Sequence, residues 1–232
     1  MLTCLCDALY GEVGIATAKV LEYAGCTAEF LPNQTCCGQP AFNSGHWEEA
    51  RKTANHAISV LEFGEQCPVV VPSGSCTAMI REGYHLLFPD DPKKVAWELS
   101  EILVDHLGIK SWPLSGTGFT EPKKIVFHRS CHGRGIGLGD KVEQLLKTIP
   151  NLEVIEPSQP EQCCGFGGAF CATHGKIASE IGNEKLRCLH ETGCMDVVSG
   201  DMGCLMHLQT LPSADGMIFR HYSEILAESA GL

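Results

Sequence analysis

Gln34-Thr35-Cys36-Cys37-Gly38-Gln39-Pro40 and Gln162-Cys163-Cys164-Gly165-Phe166-Gly167-Gly168 each set an adjacent thiol pair immediately before a glycine. Working outward, Cys4 precedes the first pair with 31 residues between, and Cys131 precedes the second with the same 31. Single cysteines close the frames after 38 residues, at Cys76, and after 39 residues, at Cys204. Two four-cysteine sets cut to one template indicate two homologous halves. Soft thiolates select iron–sulfur clusters or zinc, so each half is expected to carry one soft-metal site.

The 232 residues are enough for one large core or for two domains of about 110 residues each. With 44% hydrophobic and 19% charged residues the composition is that of a globular protein, not a disordered one. No apolar run approaches the roughly 20 residues that a membrane helix needs. The opening Met1-Leu2-Thr3-Cys4-Leu5-Cys6-Asp7 lacks the charged and apolar regions of a signal peptide, so a cytoplasmic location is expected. There, 14 cysteines are better read as metal ligands, redox groups or small buried side chains than as disulfides. A formal net charge of −11 argues against nucleic acid and anionic membrane as partners.

Apolar periodicity gives each half alternating short strands and longer amphipathic helices, an α/β pattern. In the first half, helices are predicted over Val13 to Tyr23 and His46 to Phe63, with strands over Thr27 to Leu31 and Val69 to Val71. Pro72-Ser73-Gly74-Ser75-Cys76 then turns into a helix, and Val95 to Leu107 reads as another. The second half repeats the order. Strands are predicted at Ile125 to Phe127, Leu152 to Ile155 and Asp196 to Val198. Helices are predicted around Lys141 to Thr148, over Ile177 to Glu191, and from Cys204 onward. The fold expected is two homologous cysteine-rich domains, residues 1–110 and 123–232, each a mostly parallel sheet flanked by helices. Ser111 to Pro122, with two prolines and two glycines, reads as a surface linker. Only three residues precede Cys4, so the opening strand of the first half is expected to be missing or stunted.

Adjacent cysteines on a strand would face opposite ways, and a glycine-containing loop removes that restriction. Such a loop also aims backbone N–H groups at a thiolate, while Cys76 and Cys204 are expected at helix N-termini that favour one. The candidate ligands are therefore Cys4, Cys36, Cys37 and Cys76 in one half, and Cys131, Cys163, Cys164 and Cys204 in the other. The competing readings are buried apolar thiols in duplicated cores, or tetrahedral zinc at one site. Cys6, Cys26, Cys67, Cys171, Cys188 and Cys194 lie outside the frames and are read mostly as packing residues, with Cys6 and Cys171 as candidate extra ligands. His128, His132, His174 and His207 gather around the second frame and are read individually as loop or surface residues. His132 is placed to hydrogen-bond cluster sulfur. Gly133, Gly135, Gly137 and Gly139 do not meet dinucleotide-binding spacing, so nicotinamide and flavin are excluded.

The two frames resemble the paired cysteine-rich domains found in heterodisulfide reductase and in the glycolate oxidase iron–sulfur subunit. Residues 34–45, Pro72-Ser73-Gly74-Ser75-Cys76, residues 162–168 and Asp201-Met202-Gly203-Cys204-Leu205-Met206 narrow the resemblance to the lactate utilisation protein A family, over essentially the whole chain. That resemblance implies an iron–sulfur electron-transfer subunit of a complex oxidising L-lactate to pyruvate, with a second iron–sulfur subunit and a third small subunit as partners. On this reading it is an oxidoreductase-complex subunit that does not complete the reaction alone, and it carries one four-iron cluster per domain. Alternatives are a thiol–disulfide redox subunit or a zinc-bound assembly scaffold. The heterodisulfide reductase pattern closes each frame with C-x-x-C, whereas Ser73 and Asp201 stand at the first of those positions here. Each site then has four thiolates, with Ser73 and Asp201 as candidate oxygen ligands.

Overall fold

The computed structural model describes residues 1–61, 67–90 and 95–232. Its first half runs through helices α1 (Cys4–Leu9), α2 (Gly11–Tyr23), α3 (Gln39–Asn43) and α4 (Trp47–Leu61) to strand β1 (Val69–Val71). Helix α5 (Gly74–Ala78) continues through a π-helical turn at Met79–Gly83 into α6 (Tyr84–Leu87). Strand β2 (Ala96–Glu98) then feeds α7 (Leu99–Glu101), extended by a π-helical turn at Ile102–His106. The second half places β3 (Lys123–His128), α8 (Cys131–Gly135), α9 (Lys141–Lys147), β4 (Leu152–Ile155), α10 (Phe170–Thr173) and α11 (Gly175–His190) in that order. It ends with β5 (Asp196–Ser199), α12 (Met202–Gln209), β6 (Ile218–His221) and α13 (Tyr222–Ser229).

Both sheets are parallel. One pairs β1 with β2, and the other has the order β4-β3-β5-β6. Parallel sheets are covered on both faces, which is why β1 and the middle of β3 read as unbroken apolar runs. In β3, Ile125 and Phe127 face a middle core, while Val126 faces an outer one. The middle core belongs to both halves. It joins Ala16, Val20 and Leu21 of α2 and Leu99, Ile102 and Leu103 to Leu145 and Leu146 of α9 and Ile225 and Leu226 of α13. Each valine, leucine or isoleucine among them, fully buried, contributes about 1.5–3 kcal/mol. Two outer cores lie under α4, α5 and α6 in the first half, and under α11 and α12 in the second.

Three expectations need correction. Val95 to Leu107 is not one helix, because Ala96–Glu98 pairs in parallel with β1 before the helix begins. Alternation decides it: Ala96 and Glu98 are buried while Trp97 lies toward the other face. Thr27 to Leu31 forms no strand. Its counterpart β4 is held by pairing with Lys123 to Val126, and no such strand partner flanks 27–31 among the described residues. The 111–122 segment is not wholly at the surface, since Trp112 is buried in the middle core and donates its indole N–H to the Leu226 carbonyl at 2.8 Å. Residues 1–3 form no strand, and the Met1 nitrogen lies 2.6 Å from the Val70 carbonyl, beside β1. The predicted helix over His46 to Phe63 is seen as Trp47–Leu61, and Phe63 lies outside the described residues.

Candidate metal centres

Each frame delivers its cysteines from three chain segments. Cys4 and Cys131 open α1 and α8, behind the capping side chains of Thr3 and Ser130. Cys76 and Cys204 occupy the first turns of α5 and α12, capped by Ser73 and Asp201. The paired thiols sit in loops that end in a left-handed glycine, at φ +89° for Gly38 and +87° for Gly165. A Cβ on Gly38 would meet the Ala50 carbonyl at 3.1 Å, and one on Gly165 would meet the Ala178 carbonyl at 2.4 Å. Conformation and close approach to α4 and α11 therefore both require glycine.

The loops bring thiols from distant segments together. Cys37 Sγ lies 3.4 Å from Cys76 Sγ, and Cys164 Sγ lies 3.0 Å from Cys204 Sγ. Gly38 and Gly165 donate their N–H groups to the sulfurs of Cys36 and Cys163, each at 3.4 Å. In the first frame, hydrogen bonds from the Cys37 and then the Cys4 thiol hold Cys36 well below the ordinary thiol range, helped by the Gly38 N–H. In the second, the Cys131 and Cys164 thiols and the Gly165 N–H do the same for Cys163. The donors Cys4 and Cys131 are pushed up in turn, chiefly by their partners Cys36 and Cys163. All eight frame cysteines thus fall into two interacting sets. Cys37, Cys76, Cys164 and Cys204 are buried, whereas Cys131 and Cys163 are exposed.

Among the residues outside the frames, Cys6, Cys188 and Cys194 are buried, Cys26 and Cys171 are partly buried, and Cys67 is exposed. Cys171 donates to the Gly168 carbonyl at 3.1 Å. Ser73 and Asp201 act as helix caps. Ser73 accepts from Cys76 N, and Asp201 accepts from Gly203 N at 3.1 Å and from Ser75 N at 2.9 Å. His132 lies 3.7 Å from Cys131 Sγ and 3.3 Å from Gln39 Nε2, so it bridges the two halves. His174 stacks on Phe170, while His207 is buried and placed 3.2 Å from the Ala178 carbonyl.

His128 departs from the surface reading. The residue is 1% exposed, and neither ring nitrogen has a hydrogen-bond partner among the described residues. Leaving such a group unsatisfied costs about 1–3 kcal/mol. Burial lowers its pKa to about 3, which keeps the imidazole neutral. One of its nitrogens lies within 4.8 Å of the sulfurs of Cys164 and Cys204. A second buried base accompanies it: the fully buried Lys185 donates to the Gln159 carbonyl at 3.3 Å. Burial pulls its pKa down to about 8, against the opposing pull of Cys188, Cys164 and Cys204.

Such a fold, with two parallel sheets and two matched thiol sets at loop and helix ends, defines a duplicated cysteine-rich class of protein. The family model described as "Cysteine-rich domain" (CCG) matches residues 1–81 and again residues 125–209. The chain is 36% identical to Lactate utilization protein A of Oceanobacillus iheyensis, over 97% of this chain and 94% of that one. It is 39% identical to Lactate utilization protein A of Bacillus subtilis, over 89% of this chain and 88% of that protein. With the protein of the same name from Halalkalibacterium halodurans the identity is 40%, over 89% and 86% of the two chains. The chain belongs to the lactate utilization protein A family of cysteine-rich CCG proteins. Among the described residues, no helix is long and apolar enough to cross a membrane.

Proposed function

We propose that the chain is an iron–sulfur electron-transfer subunit of a system that oxidises L-lactate to pyruvate. The observation that carries this reading is the convergence of each repeated frame, with buried sulfurs 3.4 Å apart in one half and 3.0 Å apart in the other. The name shared by the relatives supplies lactate as the substrate. The donor sets suit a soft metal: four thiols per half, already polarised toward the thiolate at Cys36 and Cys163. Cys4, Cys36, Cys37 and Cys76 would hold one group, and Cys131, Cys163, Cys164 and Cys204 the other.

A bound cluster supplies one-electron storage at a potential set by charge, hydrogen bonds and exposure. The protein's own part is to fix those variables. Gly38 and Gly165 N–H groups neutralise sulfur charge, and the outer cores exclude water from Cys37, Cys76, Cys164 and Cys204. Cys131 and Cys163, exposed, mark the side from which a partner approaches. Partners are a second iron–sulfur subunit and a third small subunit, and the site lies in the cytoplasm.

The test is anaerobic reconstitution of the full chain with ferrous iron and sulfide, followed by metal analysis and electron paramagnetic resonance. About eight irons with acid-labile sulfide and a reducible signal are expected. Cys37→Ala and Cys164→Ala should each lose about half of the iron. One or two zincs and no iron would replace this reading with a structural scaffold. The exposure of Cys131 and Cys163 favours one second reading, thiol–disulfide reduction at the second site. Disulfide turnover by the isolated protein would establish it.

A further inference from the structure

The two sites are not copies of one another. Counting back three residues from the first cysteine of each frame gives His128 in the second half and Met1 in the first. His128 is the last residue of β3, held beside Ser199 of β5, and its carbonyl accepts the Ser199 hydroxyl at 2.9 Å. Strand alternation puts its side chain on the face that carries Val126, in the outer core that also holds Cys164 and Cys204. There the imidazole is enclosed, with both nitrogens unpartnered among the described residues. A ring nitrogen and the sulfurs of Cys164 and Cys204 lie within 4.8 Å of one another. Buried polar groups are nearly always satisfied, and one left open beside two thiols points to a bound metal.

We propose that His128 is a nitrogen ligand of the second site, which binds its metal through imidazole and thiolates while the first site uses sulfur alone. The assignment rests on the reading that the cysteine frames hold metal. Cys164, Cys204 and His128 form the buried wall, and Cys131 and Cys163 supply thiolates from the exposed side. Of these five donors a single zinc ion would take four, His128 among them, and a cluster would take the imidazole at one of its irons. If iron is bound, the nitrogen ligand makes the second site the easier of the two to reduce.

The experiment uses the full chain in two arms, one loaded with ferrous iron and sulfide and the other with cobalt(II) alone. In the iron arm, pulsed electron paramagnetic resonance should find nitrogen coupling at one of two clusters. In the cobalt arm, ligand-field bands should report one all-sulfur site and one nitrogen–sulfur site. An occupied iron arm with labile sulfide marks the native group as a cluster. An iron arm that yields no cluster, with a filled cobalt arm, marks a mononuclear site. His128→Ala should remove the nitrogen signature and weaken one metal equivalent by about tenfold or more. His128→Cys should restore binding without the nitrogen signature, which separates ligation from packing.

A wild-type protein with no nitrogen signature in either arm overturns the assignment even if His128→Ala fails to fold. Unchanged binding by a folded His128→Ala protein overturns it as well. In either case, loss of one equivalent in Cys164→Ser leaves the cysteine-frame reading standing. If Cys164→Ser also keeps both equivalents, that reading fails too.

Discussion

Asp201 of the second half accepts the backbone N–H of Ser75 of the first half at 2.9 Å, while its other oxygen caps its own helix at Gly203. One carboxylate therefore closes the N-termini of both helices that carry the last cysteine of a frame. In the first half Ser73 caps only α5, through Cys76 N. Asp201→Ser should keep the local cap and lose the reach across, costing about 1 kcal/mol. Asp201→Ala should lose both, costing about 2–3 kcal/mol. Urea denaturation of the two variants checks the order, and equal losses would remove the cross-half bond from the account.

The two glycine loops are expected to differ in tolerance. Gly165→Ala forces a left-handed alanine and a Cβ only 2.4 Å from the Ala178 carbonyl, whereas at Gly38 the nearest atom is at 3.1 Å. Strain at such sites is of the order of 1–3 kcal/mol, and the backbone clash places Gly165→Ala at or above the upper end. Metal content and denaturation midpoint, measured together, should fall further for Gly165→Ala than for Gly38→Ala.

Cys131 and Cys163 are both exposed but should not react alike. The Cys131 thiol donates to Cys163, which lowers one pKa and raises the other. In metal-free, reduced protein Cys163 should be the more readily ionised of the two. Iodoacetamide followed by peptide mass spectrometry should therefore find Cys163 modified first. Faster labelling at Cys131 would reverse the direction of the hydrogen bond.

Glu98 links stability to pH. Its carboxylate is buried and accepts from the Tyr222 hydroxyl at 2.7 Å, from Ser100 N at 2.8 Å, and from the Ser100 hydroxyl. Burial outweighs those bonds and raises its pKa to about 7. The folded state therefore holds this proton where the unfolded state has released it, and stability falls as pH rises from the ordinary carboxylate range toward 7. Glu98→Gln imitates the protonated form, so it should flatten this slope and exceed the wild type by about 2 kcal/mol at pH 8. Parallel stability curves for the two proteins between pH 5 and pH 8 would show that Glu98 does not titrate there.

The frame cysteines were readable in the sequence because repetition at matched spacing carries its own signal. Their grouping into two sets followed from the glycine after each pair. Strand β2 was hidden because its inward positions are Ala96 and Glu98, and a buried carboxylate conceals the alternation. Thr27 to Leu31 does alternate, but a strand also needs a partner, and pattern alone cannot supply one. His128 was placed beside the second frame but read as a loop or surface residue, because a single histidine has no spacing to measure. The signal was present in the strand: Ile125 and Phe127 face the middle core, so Val126 and His128 must face the thiols.

The middle core has a further consequence for how this chain can be cut. Helices α2 and α13 pack against each other within it, and Trp112 of the connecting segment is anchored there too. Cleavage within residues 111–122 would release no free-standing halves. Each piece would carry an uncovered oily flank shaped to fit the other, so 1–122 and 123–232 produced together should reassemble, while either produced alone should aggregate. The molecule is built like a dimer whose two members have been tied into one chain.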